Sequence, residues 1–248
     1  MQTAIVTGAS SGIGRASARR LIQDGWRVLA VGRDEAALAA LRDELGGAFA
    51  PFTADVTAAG APAAIVRAAS DGGHALAGLV QAAGIIGSGA VDATADEAWD
   101  AMFAINVRAP FRLLREAAPH LAAARGAVVN VSSVTGLRAF PGLASYCASK
   151  AALDHLTRAA ALDLAPKGVR VNAVNPGVVI TNLHRRGGMD EARYAAFLDH
   201  AKDTHPLGRP GTPGEIADLI AFLLSEKSAW ITGETIAIDG GRHLTCLR

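Results

Sequence analysis

Short apolar runs rich in β-forming residues alternate with longer helical stretches along the sequence. Seven of these runs are predicted strands, at residues 3–7, 27–31, 49–54, 76–83, 126–133, 169–174 and 235–239. Helices are predicted at 12–24, 34–45, 61–70, 96–123, 146–165 and 213–224, the fourth with a kink near Asn106. Several of the strands are apolar throughout, which is typical of strands buried on both faces. The pattern predicts an α/β protein with a doubly wound parallel sheet of about seven strands, flanked by helices on both faces.

Local signals mark where several helices begin and end. Residues 94–97 (TADE) and 212–215 (TPGE) both fit the capping box, in which Thr and Glu side chains cap a helix N-terminus. Pro213 suits the first position of a helix, while Gly25 and Gly168 suit positions just after a helix end. The sequence contains no repeat, low-complexity tract or linker. We therefore predict a single domain across all 248 residues.

Composition excludes several classes of protein. Half of the residues are hydrophobic, which is enough for a sizeable core, and a formal net charge of +1 gives no signature of a nucleic-acid or anionic-membrane partner. No apolar run reaches the roughly 18 residues that a membrane span needs, and the first residues do not read as a signal peptide. The two cysteines, Cys147 and Cys246, predict neither a disulfide framework nor a metal site. We expect a cytoplasmic protein with reduced thiols.

A glycine-rich segment, TGASSGIG (7–14), ends the first predicted strand and opens the first predicted helix. Glycines allow a sharp turn and a close approach of the backbone to a ligand, and the helix N-terminus offers free N–H groups to a phosphate. Glycines also close ordinary strand–helix turns, but this position in a doubly wound pattern is the one that a dinucleotide site requires. The sequence thus indicates a dinucleotide-binding Rossmann domain, with loop contacts from Gly8, Ser10, Ser11, Gly12, Ile13 and Gly14.

The end of the second strand bears on the choice of dinucleotide. Many dinucleotide folds place an acidic residue there, which binds the ribose hydroxyls of NAD. This sequence has Gly32 at that place, followed by Arg33, whose charge favours the 2′-phosphate of NADP. An exposed arginine at a strand end is the alternative explanation, and NAD remains open as the cofactor.

Tyr146 and Lys150 lie one helical turn apart and share a helix face. Ser133 ends the fifth strand, so it lies on the same edge of the sheet as the glycine loop. Lowering the pKa of a tyrosine by about three units needs roughly 4 kcal/mol, and one nearby cation supplies an energy of about that size. Tyr146 is therefore a candidate general acid/base, with Ser133 as a hydrogen-bond partner of the reacting oxygen.

These motifs make the chain similar to the short-chain dehydrogenase/reductase family, from residue 3 to about residue 241. TGASSGIG resembles the family's TGxxxGxG motif, and YCASK (146–150) resembles YxxxK, with Ser133 at the usual distance upstream. Asn106, in FAINVRAPF, matches the family's catalytic asparagine, and NPGVVIT (175–181) matches its PG segment near the nicotinamide.

The resemblance also implies roles for individual residues. It implies that Tyr146 is the general acid/base and that Lys150 binds the nicotinamide ribose and lowers the pKa of the phenol. It implies that Ser133 orients the substrate and that Asn106 holds a water linking the lysine to solvent. Further cofactor contacts that it implies are Asp55, Val56, Ala83, Gly84, Pro176, Gly177, Val179 and Thr181.

One motif departs from the family. The sequence has QAAG (81–84) where the family usually has NNAG, which leaves one hydrogen bond between the central strands in doubt. The segment 182–206 has no clear strand–helix pattern, and the resemblance implies that it covers the substrate. Within it, Arg185 and Arg186 either bind an anionic substrate or are solvated loop charges.

Other side chains are expected beside the pocket or in the core. Leu137, Arg138 and Phe140 lie between the serine and the tyrosine and should border the substrate pocket. Cys147 and Trp230 are interpreted as packing residues.

The resemblance predicts an NADP(H)-dependent oxidoreductase that interconverts a ketone and a secondary alcohol. A 3-oxoacyl-carrier-protein reductase is the first candidate, and a sugar, polyol or hydroxysteroid dehydrogenase is the alternative. A non-catalytic dinucleotide sensor is the alternative from another class, although such sensors typically lack the Tyr/Lys pair. The resemblance further suggests a small-molecule substrate and a homotetramer built partly from the helices at 96–123 and 145–166.

Overall fold

The computed structural model of the protein describes residues 1–71 and 73–245, and its centre is one parallel β-sheet. The strands are β1 (Thr3–Thr7), β2 (Arg27–Gly32), β3 (Phe49–Thr53), β4 (Leu76–Gln81), β5 (Ala127–Val131), β6 (Arg170–Pro176) and β7 (Thr235–Ile238). Their order across the sheet is β3-β2-β1-β4-β5-β6-β7, and all neighbouring pairs are parallel. The predicted doubly wound sheet is confirmed.

Helices connect these strands. They are α1 (Gly12–Gln23), α2 (Glu35–Leu45), α3 (Ala61–Ser70), α4 (Asp96–Phe103), α5 (Ala109–Ala124), α6 (Val134–Leu137), α7 (Ala144–Leu164), α8 (Leu183–Arg186), α9 (Glu191–Thr204) and α10 (Pro213–Leu224). A π-helical turn, Ala104–Arg108, joins α4 to α5. Short 3-10 turns occur at Gly46–Ala48, Ala165–Lys167, Glu226–Ser228 and Arg242–Leu244. Within the described residues, no helix is both long and apolar enough to cross a bilayer.

Two hydrophobic clusters lie on opposite faces of the sheet. Ala4 and Val6 of β1 belong to the cluster that includes side chains of α1, α2 and α10. Ile5, between them in sequence, belongs to the cluster that includes side chains of α3, α5 and α7. Successive strand residues point to opposite faces, so a strand covered by helices on both sides must be apolar at every position. This explains the continuous apolar runs of the sequence.

The strand order reverses between β1 and β4, which are neighbours although β2 and β3 lie between them in sequence. Loops that leave the carboxyl ends of two such strands run in opposite directions and open a crevice between them. The glycine loop leaves β1, and the segment beginning at Ala82 leaves β4. The fold therefore places the two predicted cofactor segments on either side of one crevice.

One predicted helix cap is wrong. Helix α4 begins at Asp96, as predicted, but its N-cap is Ala95 and not Thr94, so the TADE capping box does not form. The hydroxyl of Thr94 donates instead to the Ala90 carbonyl, 2.7 Å away. The TPGE box does form, since Thr212 and Glu215 cap α10 reciprocally. The segment 182–206 is more regular than predicted, and most of it is helix α9.

Trp230, interpreted as a packing residue, is fully exposed. Its neighbour Ile231 is partly buried and packs against the core instead. Cys147 is half-buried with a free thiol, and Cys246 lies outside the described residues.

Candidate active site

The glycine loop packs tightly against the end of β4. Gly8 has a φ of +67°, and a Cβ atom there would lie 2.8 Å from the Ala82 carbonyl oxygen. A Cβ atom on Gly14 would lie 2.6 Å from the Gly8 carbonyl carbon, so no side chain fits at either position. Ser11 is the N-cap of α1, but its side chain caps none of the described N–H groups of that helix. The first turn of α1 therefore keeps N–H groups available for an anionic ligand.

Hydrogen bonds of Thr7 and Gln81, whose partners the sequence motifs did not predict, join the strands on both sides of the crevice. The hydroxyl of Thr7 accepts hydrogen bonds from the backbone N–H groups of Ala82 and Ala83, each 3.1 Å long, and so links the ends of β1 and β4. Gln81, at the departure from the family motif, donates to the side-chain oxygen of Asn130 on β5 at 3.1 Å. The central strands are therefore cross-linked in spite of the missing asparagines.

One cavity of about 700 Å³ runs along this edge of the sheet. A cavity of this size is typical of small-molecule and cofactor sites. Ser133 lines it, together with every residue that the sequence analysis expected to contact the cofactor: Gly8, Ser10, Ser11, Gly12, Ile13, Gly14, Arg33, Asp55, Val56, Ala83, Gly84, Tyr146, Lys150, Pro176, Gly177, Val179 and Thr181. Asn106 is buried behind the cavity wall, against Gly84.

The end of β2 lies close to the Ser10 side chain at position 32, so a side chain there would make a tight contact. A Cβ atom on Gly32 would lie 3.2 Å from the Ser10 hydroxyl. The neighbouring Arg33 is exposed and lines the cavity. Asp55 faces it, and hydrogen bonds from the backbone N–H and hydroxyl of Thr57 lower the pKa of its carboxyl, with a smaller contribution from the Arg33 charge.

Tyr146 and Lys150 project from α7 into the cavity, and each is only 5% exposed. The Lys150 ammonium lies 5.7 Å from the centroid of the Tyr146 ring and donates to the Val131 carbonyl at 2.9 Å. Ser133, at the N-cap of α6, accepts the Thr135 N–H at 3.1 Å, and its hydroxyl acts to lower the pKa of the phenol. The tyrosine, lysine and serine therefore meet at one end of the crevice.

Burial controls the titration of this pair. It raises the pKa of Tyr146 to about 12, against a smaller lowering by the Ser133 hydrogen bond. It also lowers the pKa of Lys150 to about 8, which the Asp154 carboxylate partly offsets. The lysine is therefore already neutral at the pH where the phenol ionises, so burial and not the lysine charge sets the pKa of Tyr146. The spacing of the two residues had instead predicted that Lys150 dominates the pKa of Tyr146.

Asn106 lies in the π-helical turn between α4 and α5, where the kink was predicted. Its side chain pairs with both backbone groups of Ile85, accepting from the N–H at 3.0 Å and donating to the carbonyl at 3.1 Å. It also donates to the Ser149 hydroxyl, which in turn donates to the Tyr146 carbonyl. Such turns often occur at functional sites. Asn106 therefore holds the loop after β4 against the helix that carries the tyrosine.

Asp154 and Asn175 form a second support that motif matching missed. The Asn175 amide donates to the Ser133 carbonyl and to the Asp154 carboxylate, both at 2.8 Å. Burial raises the pKa of Asp154, one helical turn beyond Lys150 on α7. The spacing of four residues from the lysine was the available sequence signal.

The segment 182–206 lies over the cavity, but its two arginines behave differently. Arg185 forms an ion pair with Glu191, with a guanidinium hydrogen bond of 2.8 Å, and lies over the Tyr194 ring. Arg186 lines the cavity and donates to the Ser11 hydroxyl at 3.0 Å. Arg185 is thus committed to the segment itself, while Arg186 reaches across to the glycine loop.

Tyr194 anchors this segment to the end of β6. Its hydroxyl donates to the Thr181 carbonyl at 2.9 Å and accepts the Thr181 N–H at 3.2 Å. His184 packs against Phe197 on the cavity side, with ring centroids 4.4 Å apart. The Tyr194 hydrogen bonds connect the covering segment to the predicted cofactor residue Thr181, whereas the His184–Phe197 contact lies within the segment.

A doubly wound sheet with a glycine loop at its crevice and a Tyr/Lys pair beside it defines a nicotinamide-dinucleotide-dependent oxidoreductase. A family model described as enoyl-(acyl carrier protein) reductase matches residues 8–243. The chain belongs to the short-chain dehydrogenase/reductase family.

Known relatives cover nearly the whole chain. A 2-(S)-hydroxypropyl-CoM dehydrogenase from Xanthobacter autotrophicus is 40% identical over 242 residues, which are 95% of this chain and 94% of the relative. A cofactor-bound short-chain dehydrogenase/reductase of unknown function from Caenorhabditis elegans has a TM-score of 0.93 and 32% identity, and the match covers 98% of this chain and 96% of that one. A 3-ketoacyl-(acyl-carrier-protein) reductase from Brucella melitensis, complexed with NADH, has a TM-score of 0.89 and 31% identity, with 98% of both chains covered.

Proposed function

We propose that the protein is an NADP(H)-dependent oxidoreductase that interconverts a ketone and a secondary alcohol. The observation that carries this proposal is that Tyr146, Lys150 and Ser133 line the same cavity as the glycine loop. A proton donor beside a dinucleotide cleft is the arrangement that carbonyl reduction requires.

The residues around the cavity fit a dinucleotide. The N-terminus of α1 has no side-chain cap, so its free N–H groups suit the pyrophosphate. Gly8 and Gly14 have no room for side chains, which leaves the backbone of the loop open to a phosphate. When bound, the nicotinamide ring supplies or accepts a hydride. We assign Lys150 to its ribose, and Thr181 and the Pro176–Gly177 backbone to its amide, on the strength of the family resemblance.

The preference for NADP is part of the proposal. Gly32 stands where an acidic side chain would bind NAD ribose hydroxyls, and Arg33 lines the cavity next to it. Arginine is suited to phosphate, because its guanidinium donates two parallel hydrogen bonds. Asp34 also lines the cavity, but one of its oxygens accepts the Ala37 N–H as the cap of α2. NAD is the alternative, since the Brucella melitensis relative is complexed with NADH.

The chain's own residues account for the proton. Tyr146, with its raised pKa, is protonated at neutral pH and donates its proton to the ketone oxygen during reduction. Ser133 hydrogen-bonds to the same oxygen and holds it in place. Lys150 carries a positive charge below about pH 8 and stabilises the negative charge that develops on the phenol. Asn106 keeps the loop after β4 and helix α7 in register.

The substrate and the assembly complete the proposal. The Xanthobacter autotrophicus and Brucella melitensis relatives are named for a secondary alcohol and a ketone, which supports this substrate class and keeps a 3-oxoacyl thioester as one candidate. Segment 182–206 would cover the substrate. Trp99, Phe111 and Leu162, on α4, α5 and α7, are exposed apolar side chains and support a homotetramer that packs through these helices. Light scattering in solution tests that assembly.

The Tyr146→Phe variant tests the proposed chemistry, because it removes the hydroxyl and keeps the ring. We expect turnover of ketone substrates to fall by about a hundredfold to ten-thousandfold, while NADPH binding, measured by nucleotide fluorescence, stays within a few-fold of the parent. The substrate panel should contain acyl thioesters, sugars, steroids and diketones. Full turnover by the variant would show that Tyr146 is not the acid/base. A parent protein that binds NADPH but turns over no member of the panel would favour a non-catalytic sensor.

A further inference from the structure

Two arginines from distant parts of the chain meet at one aromatic ring. The guanidinium carbon of Arg138 lies 5.2 Å from the centroid of the Phe140 ring, and that of Arg242 lies 5.0 Å from it. Arg138 follows helix α6, whereas Arg242 begins the 3-10 turn after β7. Both guanidinium groups are therefore held close to the same ring by cation–π contacts.

The hydrogen bonds of these arginines leave most of their donors unused. Arg138 donates to the carbonyl groups of Arg242 and Thr245, which fixes the 3-10 turn. Arg242 donates to the Thr204 hydroxyl. Within residues 1–71 and 73–245, neither arginine forms an ion pair with a carboxylate. The nearby Asp239 uses its two oxygens for the N–H groups of residues 241 and 243 and the imidazole of residue 243.

An unpaired charge in this position is unfavourable. Burial lowers the pKa of Arg242 and the positive charge of Arg138 lowers it further, while the Asp239 carboxylate offsets part of this lowering. Two like charges beside a half-buried ring repel each other unless an anion lies between or beside them. An arginine also offers a planar set of donors that matches a carboxylate, sulfonate or phosphate group.

The location of Arg242 favours the substrate as the source of the anion. Arg242 and Phe140 line the cavity that contains Tyr146 and Ser133. Arg186, in segment 182–206, also lines the cavity, but it is hydrogen-bonded to the glycine loop at Ser11. Besides Lys150, which lies at the reacting groups, Arg242 is thus a cation on the cavity that forms no ion pair within the described residues.

We propose that Arg242 binds an anionic group on the substrate and that Arg138 positions Arg242 for this contact. The substrate is then a ketone or secondary alcohol that carries a carboxylate, sulfonate or phosphate some carbons away from the reacting centre. This inference rests on the proposed function, and it assigns the substrate class of that same site.

Matched ketones test the proposal. Methyl ketones of equal chain length would carry a terminal carboxylate, sulfonate, phosphate or neutral carboxamide, and kcat/KM would be measured for each with NADPH and with NADH. We expect the parent protein to prefer at least one anionic ketone over the carboxamide by about tenfold or more. The three anionic series show which headgroup the site takes. Equal kcat/KM values for all anionic and neutral ketones would overturn the proposal while leaving the oxidoreductase function intact.

Variants assign the preference to the two arginines. In Arg242→Gln the ratio of anionic to neutral kcat/KM should fall by about tenfold, mainly through KM, and Arg242→Lys should restore much of it. Arg138→Gln should give a smaller fall, because it acts through the position of Arg242. Arg193→Gln, an exposed arginine of α9, is the matched control and should keep the parent ratio. An unchanged ratio in Arg242→Gln would refute the assignment.

A binding measurement separates this inference from the proposed function. Calorimetry would compare a saturated fatty carboxylate with its amide on the parent protein and on Arg242→Gln, without any turnover. Loss of carboxylate binding in the variant supports the anion site even if no ketone is reduced. Equal binding of carboxylate and amide to the parent protein counts against it, whatever the catalytic result.

Discussion

Replacing Lys150 with Met removes the ammonium group beside the phenol and keeps the length of the side chain. The ammonium lies 5.7 Å from the centroid of the Tyr146 ring, and two unit charges at such a separation interact by about 3 kcal/mol at an effective dielectric constant of about 20. If the phenol carries most of a negative charge in the transition state, the loss of about 3 kcal/mol slows the step by about a hundredfold. We therefore expect the kcat of Lys150→Met to fall by about that factor at neutral pH.

The pH dependence of this loss follows from the direction of the pKa shift. Burial lowers the pKa of Lys150 to about 8, so its positive charge is present below that value and absent above it. The ratio of parent to variant kcat should therefore be largest below pH 8 and shrink as the pH rises further. The exposed lysine of the 3-10 turn, Lys167→Met, is the matched control and should keep the parent profile.

The assay needs two additional readouts. Met at position 150 leaves the Val131 carbonyl without its 2.9 Å donor, which costs about 1 kcal/mol of stability, so urea unfolding should be measured beside turnover. Nucleotide fluorescence would show how much cofactor affinity is lost. A Lys150→Met protein that binds cofactor, stays folded and keeps kcat within threefold of the parent would refute the electrostatic reasoning.

Three further predictions concern other parts of the molecule. Arg33→Asp should weaken NADPH binding by about tenfold or more and improve NADH binding, and equal affinities of the parent for the two cofactors would remove the basis of the NADP assignment. Gly14→Ala, which puts a Cβ into the backbone of the loop, should lower the free energy of unfolding by about 2 kcal/mol or more, whereas Gly47→Ala, where no described atom lies within 4 Å of the new Cβ, should change it little. The hydrogen bond from Arg209 contributes most to lowering the pKa of Glu215 to about 2. A lowered carboxyl pKa stabilises the fold above the ordinary value near 4.5 and ceases to do so as the pH falls through 2, so Glu215→Gln should lower Tm at neutral pH but not near pH 2.

Local sequence patterns gave most of the secondary structure. Strand runs such as 3–7 and 235–239 were recognisable because buried strands between two helix layers are apolar at every position. Helix α9 was missed, since its sequence shows little amphipathic pattern, although Asp190 caps it in the ordinary way through the Arg193 N–H. The TADE capping box does not form, and the hydroxyl of Thr94 donates to the Ala90 carbonyl one turn earlier in the chain.

The features of the candidate site that depend on local sequence were also predictable. The spacing of Tyr146 and Lys150 is a property of one helix, and the sequence alone placed them on one face. The sequence also placed the glycine loop and Ser133 on one edge of the sheet, because the strands of a parallel sheet all end at that edge. These features depend on neighbours within a few residues or on the regular geometry of an α/β fold.

Tertiary structure alone decided the electrostatics and the distant partners. Whether Lys150 or burial dominates the pKa of Tyr146 depends on how completely other elements exclude water from the pair, and burial dominates. The meeting of Arg138 and Arg242 at one ring joins segments 104 residues apart. No local pattern encodes such distances, because they arise only when the strands and helices pack together.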